Sequence, residues 1–303
     1  MWRRWQWAVP PLLFALLLSR IPLDELRAGL ARGPAGWLAL YTLVQVAVTL
    51  VFDGVATRIA LHGAGIRRPL ATLIRVRGAT YLLAVLHYIL GQGGLYAYLR
   101  RTGVGAGRAA AAVLVLTTGT LGGMVVAAAV LWPLTTSVPP LPGLRPVAAA
   151  LAVLAALYVV AVVAQPAVFT RSRWLAPIAQ LGPRAHVAAW AGRVPHVLVL
   201  LIGHWGALRL WGIPVPLAEG LALVAAVLLI AALPLAPAAL GTFEAAQVLL
   251  LSGFVPAATA DARAAAVLAF ALVYHALGLG AQIGLGFICW RAGVRGRAAG
   301  SPQ

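Results

Sequence analysis

Lysine is missing from this chain of 303 residues: all 23 basic residues are arginine. GC-rich coding is the simplest source of that bias. Acid is scarce as well, with six Asp and Glu in total. A single cysteine, Cys289, excludes an intrachain disulfide and a cysteine metal cluster. The sequence has no H-E-x-x-H, no histidine pair at i, i+4 on one helix, no G-x-S-x-G and no P-loop. These absences leave a metal centre, a serine nucleophile and a nucleotide energy source without support, so neither metal nor cofactor is expected. No segment alternates apolar and polar residues over about ten positions, as a membrane barrel does. Charged residues make up 10% of the chain, against about 25% in soluble domains.

What is abundant is apolar: 62% of residues, rich in Ala, Leu and Val. A hydrocarbon slab about 30 Å thick takes about 20 helical residues, and the chain offers about six such runs and two interrupted ones. The fold class expected is an all-α polytopic membrane protein forming a single integral domain over 1–303. The spans read as about 7–19, 36–52, 109–132, 147–163, 186–211 and 263–290. The N-terminal stretch resembles a signal peptide but lacks a small-x-small cleavage site, so a retained first helix is expected. Residues 22–33 (PLDELRAGLARG) read as an interfacial amphipathic helix, and RWLAPIAQLG as another. The third apolar segment, 78–90, stops at Gly91-Gln92-Gly93-Gly94 and is too short to span. The seventh, 217–233, stops at prolines and resumes as 243–251.

The formal charge of +17 follows the loops. Arginine clusters mark cytoplasmic loops, which places the N-terminus, the loops at 58–77, 100–108 and 166–185, and the C-terminus in the cytoplasm. Loops 133–145, 212–216 and 253–262, poor in arginine, then face outward. The assignment closes only if both interrupted segments return to the side they enter from. Two re-entrant hairpins of opposite orientation result, within an inverted repeat of halves 1–140 and 141–292 and a basic cytoplasmic tail at 293–303. Paired interrupted segments in inverted halves point to a midplane transport site. The arginines are scattered between apolar spans, so nucleic acid is not an expected partner. The expected location is the inner (cytoplasmic) membrane, multi-pass.

The most informative stretch is LPLAPAALGTFE, Leu233 to Glu244. Pro234, Pro237 and Gly241 interrupt an apolar run, and a carboxylate, Glu244, opens the next. Hydrocarbon offers no partners to the backbone groups such a break frees, so it must line a cavity or touch something polar. Glu244 in the first turn of a half-helix gains from the helix dipole. It reads as a counter-charge, a proton-coupling group, or an N-terminal cap completed by Thr242. Arg75, Arg77 and Arg100 flank the first interruption and could hold a lipid phosphate or snorkel to the interface. Gln92, Tyr96 and Tyr98 could supply hydrogen bonds, the tyrosines also reading as interfacial anchors. Asp53 reads as a local ion pair with Arg58. Arg193 and Arg209 should snorkel or face the bundle, with Glu219 or Glu244 as partners. His87, His204 and His275 read as core histidines bonding across helices.

PLAPAALGTFEA resembles the signature of the lysylphosphatidylglycerol synthase transmembrane-region family, the flippase-like domain of the multiple peptide resistance factor. YILGQGGLYAYLR resembles that family's first-half motif, a glycine-rich break followed by an arginine, here Arg100. Pro237-Ala238-Ala239 stands where the family has Pro-Gly-Gly, and Gly91 where it has proline. The resemblance implies a flippase-like module for aminoacylated or other polar-headed lipids, without the soluble synthase domain. The expected site has Glu244, Gly241, Pro237 and Pro234 on one side, and Arg77, Gln92, Gly93, Gly94, Tyr96 and Arg100 on the other. Expected partners are membrane lipids with anionic or aminoacylated headgroups, a separate lipid-modifying enzyme, and a second copy of the chain. The alternatives are an intramembrane lipid-modifying enzyme using Glu244 with His87 or His275, and a membrane assembly subunit.

Overall fold

The computed structural model describes residues 11–131 except 14, 17 and 20, and residues 144–172, 176–233 and 235–298. The beginning of the first span, most of the proline-rich 133–145 loop, Arg173, Pro234 and the last five residues of the tail lie outside the described residues. All regular structure among those described is helical. Four helices are long and apolar enough to cross a membrane: α2 (Ala35–Gly63), α5 (Ala106–Leu131), α9 (Gly182–Leu210) and the Ala260–Gly293 part of α12 (Ala260–Ala298). At 1.5 Å per residue the 29 residues of α2 exceed the thickness of the hydrocarbon core. Large apolar side chains such as Val48, Val130, Val194 and Ile288 stay exposed on these helices, as fits a membrane-embedded protein.

Between them run α1 (Leu23–Arg32), α3 (Leu70–Ala84), α4 (Tyr88–Arg101), α6 (Leu144–Ala164), α7 (Ala167–Arg171), α8 (Ala176–Ala179), α10 (Leu217–Ala232) and α11 (Thr242–Leu251). The amphipathic α1 does not stand alone: Leu26, with the preceding Ile21, packs on Ala265, Leu268 and Ala269 of α12. Small residues let the backbones of the long helices approach closely, and the residues they meet show how the helices run. Gly63 lies against Ala185, Gly192 against Ile59, Gly203 against Gln45 and Gly206 against Tyr41, so α2 and α9 run antiparallel. Gly78 lies against Cys289 and Gly286 against Leu82, which makes α3 and α12 antiparallel too.

Two pairs of shorter helices fold back on themselves. The α3–α4 hairpin begins and ends at one end of the bundle, where Arg68 Nη2 donates to the Thr102 carbonyl at 3.1 Å. The α10–α11 hairpin begins and ends at the other. Their tips touch: the Ala238 N–H donates to the Leu86 carbonyl at 3.1 Å.

The first break is not where the glycines suggest. Helix α4 runs unbroken through Gly91, Gly93 and Gly94, and the interruption lies upstream, at residues 85–87. Side-chain packing explains the difference. A Cβ at Gly91 would collide with Ala84, and one at Gly94 with Leu83 and Thr80, so these two glycines let α4 lie close against α3. His87 caps the start of α4 instead, its Nδ1 accepting the Ile89 N–H at 3.1 Å. The arginine-rich 58–77 loop also shrinks: Arg58 lies in α2, and Arg75 and Arg77 lie in α3.

Candidate functional site

Helix α2 carries Thr42, Gln45, Thr49 and Asp53, polar residues three or four apart and therefore on one helical face. That face lines a cavity of about 330 Å3, at the lower end of the range for small-ligand sites. Helix α3 adds Arg77, Thr80 and Tyr81, α4 adds Tyr88 and Gln92, α9 adds Arg193, His196 and His204, and α12 adds Tyr274, His275 and Gln282.

The densest chemistry is a buried charge cluster. Arg77 Nε donates to Asp53 Oδ2 and Arg193 Nη1 to Asp53 Oδ1, each at 2.5 Å. Asp53 and Arg193 are each 1% exposed. Arg77 Nη1 also reaches Gln92 Oε1 at 3.4 Å. One carboxylate thus faces two guanidiniums, and the cluster keeps one positive charge in surplus. Arg193 Nε and the Tyr88 hydroxyl, both on cavity-lining residues, have no hydrogen-bond partner among the described residues. A buried cation without full compensation is costly, so this surplus points to an anion.

Asp53 does not pair with Arg58. Five residues along a helix turn about 140°, which puts Arg58 on the exposed side of α2. Arg193 meets neither Glu219 nor Glu244, because the antiparallel packing of α2 and α9 sets it opposite Asp53.

Glu244 is 1% exposed and does not itself line the cavity. Its Oε2 accepts the Gly241 N–H at 2.7 Å, and its Oε1 lies 2.6 Å from His275 Nδ1. The carboxylate therefore caps α11 and grips a histidine that does line the cavity. A second, adjoining cavity of about 150 Å3 is lined by His87, Tyr88 and His275 and by Ala236, Ala238 and Ala239 of the second break. His275 belongs to both. Two further polar pairs cross between helices: His204 Nε2 with Gln247 Oε1 at 3.0 Å, and the Tyr274 hydroxyl donating to Gln45 Oε1 at 2.9 Å.

The break itself is held by Thr242 Oγ1 on the Ala239 carbonyl, at 2.8 Å. Gly241 takes φ 79°, and Ala238 and Ala239 take φ 54° and 56°. Those two alanines occupy the left-handed region that glycine enters without strain. Pro237 opens the short 3-10 turn there.

Of the residues expected at the site, Arg77 and Gln92 line the large cavity. Pro237 and Gly241 shape the break that borders it, and Glu244 stands behind His275. Gly93 is exposed, Gly94 packs on α3, and Tyr96 packs in the apolar core. Arg100 is exposed and donates to the Val104 carbonyl at 2.8 Å. Pro234 lies outside the described residues. Asp53, Arg193 and the polar face of α2 line the cavity, and Arg100 and Tyr96 are not among its lining residues. The signal was in the sequence: an acid among only six, lying inside an apolar helix, is a functional candidate by default. A comparison of the chain with protein families finds no match, and neither does a comparison with curated proteins.

Proposed function

We propose that this protein binds a polar-headed lipid and moves it across the bilayer, taking the headgroup into the cavity between the two helix breaks. The observation that carries this reading is the Asp53–Arg77–Arg193 cluster, a buried positive surplus on the wall of that cavity. Its charge favours a headgroup bearing a phosphate, held by charge-assisted hydrogen bonds from the guanidiniums. Among lipids, that favours an anionic or aminoacylated phospholipid. The resemblance to the flippase-like domain family leads to the same class.

The architecture supports an inverted repeat. Helices α2, α3, α4 and α5 begin at Ala35, Leu70, Tyr88 and Ala106, and α9, α10, α11 and α12 at Gly182, Leu217, Thr242 and Ala260. Each pair lies about 150 residues apart, as two halves of one fold would. The hairpins enter from opposite ends and touch tip to tip, so we read them as re-entrant segments meeting near the midplane. The arginine-rich end then faces the cytoplasm, with both termini, in the inner membrane.

The test uses purified protein in vesicles carrying fluorescent phosphatidylglycerol, with a membrane-impermeant quencher reporting movement between leaflets. Arg193→Gln removes the surplus charge while leaving Asp53 paired with Arg77. Loss of one charge-assisted hydrogen bond should slow movement by about tenfold or more. Wild-type movement equal to that of protein-free vesicles overturns the reading. The Glu244–His275 contact favours a second reading, general acid–base chemistry on a lipid. Mass spectrometry showing a chemically altered lipid in the same vesicles decides for it.

A further inference from the structure

Glu244 and His275 bring a carboxylate and an imidazole together in the interior, one hidden and the other at the cavity wall. An ionised carboxylate can only accept hydrogen bonds, so His275 Nδ1 carries the hydrogen of the 2.6 Å contact. Nε2 is then the ring nitrogen outside that contact. Imidazole is the side chain whose charge changes near neutral pH, and His275 keeps 13% side-chain exposure while Glu244 keeps 1%.

We propose that the Glu244–His275 pair is a proton-binding site that couples proton uptake to entry of the anionic headgroup into the cavity, an inference that rests on the lipid reading above. With His275 neutral, the pair carries one negative charge at the wall of the same cavity and opposes the entry of an anion. A proton arriving at Nε2 turns the pair into a neutral ion pair, with no bond broken and the Nδ1 hydrogen still donated to Glu244. The interior then holds one uncompensated positive charge, which an entering phosphate diester neutralises. Proton and anion each favour the binding of the other, and the coupling is reciprocal.

The pair is also wired to the break. Glu244 Oε2 holds the Gly241 N–H, Thr242 holds the Ala239 carbonyl, and the Ala238 N–H holds Leu86 at the tip of the other hairpin. A change in the charge of His275 therefore acts on the carboxylate that anchors the contact between the two hairpins.

Tyr274 on α12 donates to Gln45, and His204 of α9 binds Gln247 of α11. His87 and Tyr88 lie across the small cavity. Arg77 and Tyr81 of α3, Asp53 of α2, and Arg193 and His196 of α9 lie along the large one. Glu219 lies at the opposite end of α10 from the break. None of these others stands at both the carboxylate cap and the cavity wall.

The experiment adds dioleoylphosphatidylglycerol to the purified full chain in weakly buffered detergent, between about pH 5 and 8. A soluble pH dye reports proton exchange, and lipid binding is measured in parallel. Wild type should take up a proton with each bound lipid, giving a dissociation constant that shifts by up to about tenfold per pH unit. His275→Gln should take up less than a tenth as much per bound lipid. Glu244→Gln should do the same, and its amide oxygen can still accept the Gly241 N–H, so a folding failure of one variant does not decide the matter. Lipid bound without proton uptake, or undiminished uptake in both variants, overturns the coupling and leaves the lipid reading standing. Absence of lipid binding by wild type overturns both.

Discussion

Asp53 holds two guanidiniums whose charges would otherwise repel in the interior. Asp53→Asn keeps the shape and removes the counter-charge, leaving two buried cations. Breaking a buried ion pair by deleting one partner costs about 3–5 kcal/mol, so this variant should melt well below wild type in detergent. Arg193→Gln leaves the Asp53–Arg77 pair neutral and should melt closer to wild type. A thermal-unfolding series on wild type and the two variants checks the order; three equal melting temperatures would show that the cluster contributes no stability. The identity of these residues was legible as anomaly and not as arrangement. An acid and two arginines within apolar stretches are visible in the sequence, yet they lie 24 and 140 positions apart, and only the packing of α2 on α3 and α9 joins them. Arg58 looked like the partner of Asp53 because it is near in sequence, where helical rotation, and not proximity along the chain, decides which side chains meet.

At the scale of elements, the two breaks differ in how their sequences announce them. Pro237 and Gly241 mark the second directly, since one lacks an N–H and the other takes a positive φ. The first has no proline, and its glycines serve helix packing, so its place at 85–87 emerges only from the fold. Ala238 and Ala239 turn this into a test. Left-handed backbone costs a non-glycine residue about 1 kcal/mol, and each alanine holds that conformation here. Ala238→Gly should therefore match or exceed wild-type stability despite glycine's greater entropy loss, while Ala238→Val should lose stability because a branched Cβ worsens the clash. The melting temperature of Ala238→Gly should be at or above that of wild type and that of Ala238→Val below it. Helix α4 is the counterpart case: its Gly91 and Gly94 need smallness and not a positive φ, a distinction that composition alone does not draw.

For the whole molecule, the packing sorts charge by end. The antiparallel contacts of α2 with α9, and of α3 with α12, bring Arg67, Arg68, Arg101, Arg108, Arg171, Arg184 and Arg291 to the end where α2 finishes. Asp24, Glu25, Glu219 and Asp261 gather at the other end, where α9 finishes and Gly33 lies against Trp211. The two remaining acids, Asp53 and Glu244, are interior. Arginine is in excess at the first end, against Arg209 and Arg263 at the second, so the rule that turns arginine toward the cytoplasm predicts that the first end faces inward. Loop charge in the sequence leads to the same orientation, because it depends on where each loop lies and not on the helix contacts. Cys289→Ala gives a cysteine-free background in which one new cysteine reports one loop. Arg67→Cys lies after α2 and Pro214→Cys after α9, both on exposed positions. In intact cells a membrane-impermeant maleimide should label Pro214→Cys and leave Arg67→Cys unmodified until the membrane is opened. Labelling of both from outside would place the two ends of the α2–α9 pair on one side, and neither helix could then be a crossing. The opposite pattern would keep the crossings and reverse the orientation, turning the mouth of the α3–α4 hairpin outward.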